Sequence, residues 1–213
     1  MQNGQYYSLE QDVDVEITIQ RSRFIGSLRK AFNREEFDVK LKEISLLYPK
    51  ATHYCWAYRF SGSPIIEHSS DSGEPAGSAG RPILGMLKRY FLENTMAVVT
   101  RYYGGIKLGV KGLIYAYGEA TLEAIESTNI IIDEPQVKFI FEAPYDLYNI
   151  ILAKLERLDV PQSKMQVDFK EVISGEITVP NSTALSIESE LIDLLGTRAE
   201  FKLSRIDRES SDR

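Results

Sequence analysis

The chain is poor in the residues from which thiol and metal chemistry are built. It has 213 residues, with one cysteine, Cys55, and two histidines, His53 and His68. A lone cysteine closes no internal disulfide, so nothing points to an oxidising compartment. There is no Cys-x-x-Cys and no pair of histidines one helical turn apart, so recognisable metal-ligand spacing is missing. A lone cysteine beside a strand is usually an inert small hydrophobe, and nothing orients a Cys55–His nucleophile pair. No apolar run approaches the length that spans a bilayer. The first residues, MQNGQYYSLEQDVDVE, lack a basic stretch followed by an apolar one; no signal peptide is expected, and a cytoplasmic location is. The net charge of −6 argues against a general nucleic-acid coat. With 43% hydrophobic and 26% charged residues, the chain has ordinary globular composition and enough apolar material for a core.

What is present is unevenly placed. Nine of the 14 glycines fall between Gly73 and Gly118. They punctuate DSGEPAGSAGRPIL (Asp71 to Leu84) and VVTRYYGGIKLG (Val98 to Gly109). Glycine costs backbone entropy, so such a cluster calls for positive φ or for backbone that approaches something closely. Arg81, Lys88, Arg89, Arg101, Lys107 and Lys111 stand against one acid, Glu93, a local +5 on an acidic chain. A charge run is commonly a solvated face; a basic patch on an acidic body also suits a phosphate or an RNA backbone.

Periodicity predicts a strand over Val13–Ile19, a hairpin partner over Phe24–Phe32, and a helix capped by Asn33 and ended at Pro49. Tyr54, Trp56, Tyr58 and Phe60 alternate on a further strand. Pro82 suits the first turn of a helix, and Thr95–Tyr102 reads as a central strand. Val110 to Ile125 keeps helical spacing. Beyond Asp133-Glu134-Pro135 a second domain begins. Strands around Phe139 and Val167, helices opened by Pro144 and by Asn181 or Ser182, a turn at Ser174-Gly175 into Ile177–Val179, and closing residues Ala199, Phe201 and Leu203 make βαββαβ, a ferredoxin-like order. The expected division is 1–134, 135–204 and a polar tail 205–213, in an α+β protein of two domains.

Two helix starts carry the candidate chemistry. Helix N-termini hold anions through free N–H groups and a partial positive charge. At the first, Gly77, Ser78, Gly80 and Arg81 fit a phosphate site; the same string also fits a tight turn with Ser78 as a cap. At the second, Arg101, Gly104, Gly105, Lys107 and Lys111 repeat the pattern, and Tyr102 and Tyr103 offer faces for a base or side chains for a core. His68, Asp71 and Glu74 are a weaker set for acid–base or metal work. No catalytic residue is assigned, and neither a cofactor nor a metal is called for.

ATHYCWAYR (Ala51 to Arg59), DSGEPAGSAGRPIL and VVTRYYGGIKLGVKGLIYAY (Val98 to Tyr117) resemble the YigZ/IMPACT family in order and spacing. Residues 136–203 resemble the family's small C-terminal domain, which is similar to the last domain of elongation factor G. The resemblance implies an N-terminal domain like the second domain of ribosomal protein S5. That fold is shared with small-molecule kinases, whose glycine-serine loop Pro75–Gly80 faintly resembles. The family's eukaryotic members regulate translation through a protein partner and a further N-terminal domain. That domain is not expected here, so only the link to translation is carried over. The expectation is a translation-associated protein that binds RNA phosphates or a ribosome-associated partner. The alternatives are a phosphorylated small molecule at Gly77–Arg81 and a protein-interaction module.

Overall fold

The computed structural model describes residues 4–195 and 202–207. The chain divides into two compact units, Met1–Asp133 and Glu134–Arg213. In the first, β1 (Tyr6–Leu9) pairs with β7 (Ile130–Asp133). A second, antiparallel sheet has the order β2-β3-β6-β4-β5. Its strands are β2 (Val13–Ile19), β3 (Ser22–Lys30), β4 (His53–Phe60), β5 (Ile66–Ser70) and β6 (Thr95–Tyr102). The apolar middle of β6 places it at the centre, because both faces are covered. Met96 and Val98 join the core under α1 (Arg34–Leu47), with Phe37, Ile44 and Tyr58. Ala97 and Val99 join the core under α2 (Gly80–Arg89) and α3 (Gly109–Glu126), with Phe24, Ile83, Leu87 and Tyr117. Period-2 alternation along one strand thus serves two cores. Asn33 caps α1 by accepting from the Glu36 N–H at 2.9 Å, as the sequence predicts.

In the second unit β8 (Gln136–Ala143), a 3-10 turn (Tyr145–Leu147) and α4 (Tyr148–Arg157) are followed by β9 (Met165–Phe169), β10 (Ile173–Pro180), α5 (Asn181–Leu195) and β11 (Lys202–Asp207). The antiparallel order β11-β8-β10-β9 is the fourth, first, third and second strand of this unit, which is the ferredoxin-like arrangement. Phe139, Phe141, Ile151, Leu155, Ile177 and Ile187 fill its core.

Three expectations change. Ser174-Gly175 is not a turn but the interior of β10, and a Cβ on Gly175 would collide with the Phe141 ring. The glycine there serves cross-strand packing. Strand β11 runs through Arg205, Ile206 and Asp207, into the segment expected as a tail, because β8 offers it a pairing edge. Strand β5, absent from the pattern reading, pairs with β4 opposite Trp56 to Phe60. Ala199, Phe201 and residues 208–213 lie outside the described residues.

Candidate functional site

The two glycine segments meet at one cleft of about 430 Å³ in the first unit. Glu74 and Pro75 come from the first segment; Arg101, Tyr103, Lys107 and Leu108 come from the second. The two helix starts nevertheless have different chemistry.

The first start is closed by the protein's own carboxylate. Asp71 Oδ1 accepts from the N–H groups of Ala79 and Gly80, both at 2.9 Å, and Oδ2 accepts from Gly77 N–H at 2.8 Å. Burial alone would raise the pKa of Asp71. The three N–H donors and Arg81 outweigh it and hold the carboxyl below its usual range. Ser78 is fully buried and donates its hydroxyl to the Pro75 carbonyl at 2.6 Å. Gly77 has φ +74°, and a Cβ on Gly80 would stand 2.8 Å from the Ser70 backbone, so these glycines serve the chain's own turn. Of the residues expected to hold a phosphate, Gly77 and Gly80 give their amides to Asp71 and Ser78 gives its own to the Pro75 carbonyl, so these donors have partners within the chain, while Arg81 is exposed. Asp71 is in turn a cap rather than an acid or base.

Glu74 is drawn into a buried network. Its side chain is 4% exposed and that of Arg101 is 6% exposed. Glu74 Oε1 accepts from Arg101 Nη1 at 2.5 Å and from the Tyr117 hydroxyl at 2.8 Å, with His53 Nε2 at 3.9 Å. Burial raises the Tyr117 pKa, with Cys55 and Glu74 adding to it, so the phenol stays a donor. Burial likewise pushes the Cys55 thiol up to about 12, and it donates to the Asp71 carbonyl at 2.9 Å. Neither group is a ready nucleophile. His68 lies apart from this network, exposed on β5 and paired in register with Tyr58. The proposed His68, Asp71 and Glu74 grouping therefore does not form. No cluster of metal-ligating side chains occurs among the described residues.

The second start is open. Helix α3 has no side-chain cap at Leu108. Gly104 lets β6 leave the sheet, because a Cβ there would fall on the Arg21 carbonyl; Gly105 carries φ +85° in open space. Tyr103 is 45% exposed and lines the cleft, with Arg101 Cζ 5.4 Å from its ring centroid. Tyr102 is engaged elsewhere: its hydroxyl donates to the Pro49 carbonyl, and Arg23 lies over its ring. The expected stacking role is thus left to Tyr103. Of the basic run, Arg101 pairs with Glu74 and Lys88 with Glu67. Lys107 and Lys111 are exposed and pair with no carboxylate among the described residues.

Sequence reasoning weighed His53 only as a conceivable metal ligand, and did not place Tyr117 or the cleft-lining Leu108, Val110 and Leu113 at a site. Tyr117 and Leu113 follow the helical apolar spacing of α3, which conceals that one of them ends in a buried hydroxyl. The hydroxyl on an otherwise apolar face was the available signal.

Fold and cleft together define a two-domain α+β protein whose N-terminal unit carries a largely apolar recess with a cationic rim. The family model for the Impact N-terminal domain matches residues 20–125. An IMPACT family member of Haemophilus influenzae is 31% identical over 206 residues, 95% of this chain and 98% of that one. The chain belongs to the IMPACT family. It is also 40% identical over 126 residues to the IMPACT family member YvyE of Bacillus subtilis, the match spanning 59% of this chain and 58% of that relative. The crystal structure of a hypothetical protein is similar at a TM-score of 0.64 and 27% identity, over 97% of this chain and 99% of that one.

Proposed function

We propose that this protein is a non-catalytic, cytoplasmic regulator associated with translation, and that it holds an anionic group of the translation machinery at the start of α3. The observation that carries the reading is the contrast between the two helix starts. One is neutralised by Asp71, while the other has no side-chain cap at Leu108, lies beside a cleft and is flanked by Lys107 and Lys111, which pair with no carboxylate among the described residues. Membership of a family whose eukaryotic members regulate translation supplies the context. The reading that places a phosphorylated small molecule at Gly77–Arg81 loses its donors to Asp71.

Co-sedimentation of the full chain with ribosomes tests it. Lys107→Glu with Lys111→Glu should abolish co-sedimentation at moderate salt, and wild-type binding should weaken as salt rises. Arg101 is the wrong residue to substitute here, because its loss strands the Glu74 carboxylate. Ribosome binding unchanged by the double charge reversal would overturn the proposal.

A further inference from the structure

The surface around the α3 start is as apolar as it is cationic. Tyr103, Ile106, Val110 and Ile114 are 45%, 38%, 52% and 43% exposed. Val110 and Ile114 lie one turn apart on α3, and Ile106 precedes the helix by the same interval. The cleft continues this stripe inward to Pro75, Leu108 and Leu113. A joined set of exposed apolar side chains marks a contact surface more often than bare solvent exposure does. Lys107 and Lys111 interleave with the stripe, and neither has a carboxylate partner among the described residues. The open helix start adds partial positive charge. On the cleft wall Arg101 is more than nine-tenths buried, and its Nε–H has no hydrogen-bond partner. The Glu74 carboxylate is already engaged by Arg101 and Tyr117.

These features favour a protein over a nucleic acid. An RNA surface needs many phosphate contacts and several stacking rings. Here, among the described residues, two lysines beside the cleft have no carboxylate partner, one tyrosine lines the cleft, and the chain carries a net charge of −6. A buried apolar anchor ringed by a few charges is instead how protein segments are recognised.

We propose that the cleft and the α3 stripe dock an acidic segment of a partner protein. A large apolar side chain of that segment enters between Pro75, Tyr103 and Leu113. A neighbouring carboxylate lies against Lys107 and the first amides of α3. This rests on the reading above and narrows its anionic group to a carboxylate on a polypeptide.

The test is selection of random peptides displayed on phage against the immobilised full chain, with parallel selections on Val110→Glu and on Lys107→Glu. Both positions are exposed, and circular dichroism checks that both variants fold. Enriched peptides should join Asp or Glu to Leu, Ile, Phe or Trp within a few residues. A synthetic peptide of the most enriched sequence should shift the amide resonances of Gly109 to Lys111 and lose affinity roughly tenfold or more in each variant. Enrichment that is equal on wild type and variants, or that yields basic peptides, would overturn the inference. So would an RNA hairpin that displaces the peptide and binds the full chain in a manner sensitive to Lys107→Glu but not to Val110→Glu; that result would leave the translation reading standing. Ribosome co-sedimentation indifferent to both variants would overturn the reading itself.

Discussion

Replacing Glu74 by Gln would strip the counter-charge from Arg101 while keeping shape and an acceptor for the Tyr117 hydroxyl. The pair is 4% and 6% exposed, so water cannot screen the stranded guanidinium. Arg101 has little else: a 3.4 Å contact from Nη2 to Ser22 Oγ, two aromatic rings at 5.4 Å, and an unpartnered Nε–H. Breaking a buried pair on one side costs about 3–5 kcal/mol, against about 0–1 kcal/mol for an exposed one. With a urea m-value of about 1–3 kcal/mol/M, the midpoint should fall by at least about 1 M. The chain has a single tryptophan, Trp56, packed edge-on to Phe37 in the first unit, so its fluorescence reports unfolding of that unit alone. Arg101→Met should be as damaging, because it strands the carboxylate. The double variant Glu74→Gln with Arg101→Met should be more stable than either single one, as expected when neither buried charge is left. A loss below about 1 kcal/mol in Glu74→Gln, or a double variant as unstable as the summed losses, would refute the buried-pair argument.

Further outcomes follow from the two helix starts and the buried thiol. The native Asp71 carboxyl titrates below its unfolded value, so its contribution to stability is present above the unfolded pKa, near 4, and is lost as pH falls through the lower native one. Asp71→Asn should therefore destabilise at pH 7 by about 0.5–2 kcal/mol, and the gap from wild type should narrow as acid protonates the native carboxyl; urea midpoints across pH would show it. Gly104→Ala should impair folding severely because its methyl meets the Arg21 carbonyl, whereas Gly105→Ala should cost about 1–2 kcal/mol for the left-handed backbone alone; thermal melts of equal severity would contradict this. With a pKa near 12 and full burial, Cys55 should resist a thiol-reactive disulfide at pH 8 until urea unfolds the first unit; prompt stoichiometric labelling of the native protein would contradict it.

Residues close in the chain were legible because their preferences are local. Alternation in Val13–Ile19, the continuous apolar middle of Thr95–Tyr102, the Asn33 cap, and the βαββαβ order each follow from local side-chain patterns or from one cap, and the structure repeats them. Both glycine segments open helices, as Pro82 and the helical spacing of Val110 to Ile125 suggest, and both contribute residues to the cleft.

Which groups meet there was settled only by tertiary structure. Whether a helix start is free to hold an anion depends on whether another part of the chain reaches it; Asp71 does so at the first start, and among the described residues no carboxylate caps the second. The run of basic residues looked like a uniform +5 patch until folding brought Glu67 to Lys88 and Glu74 to Arg101. Gly175 looked like a turn because the Phe141 ring that forbids a side chain there arrives from a neighbouring strand. Hydrophobic spacing is written residue by residue; the pairing of charges and donors is a matter of distance in space, and the fold alone sets it.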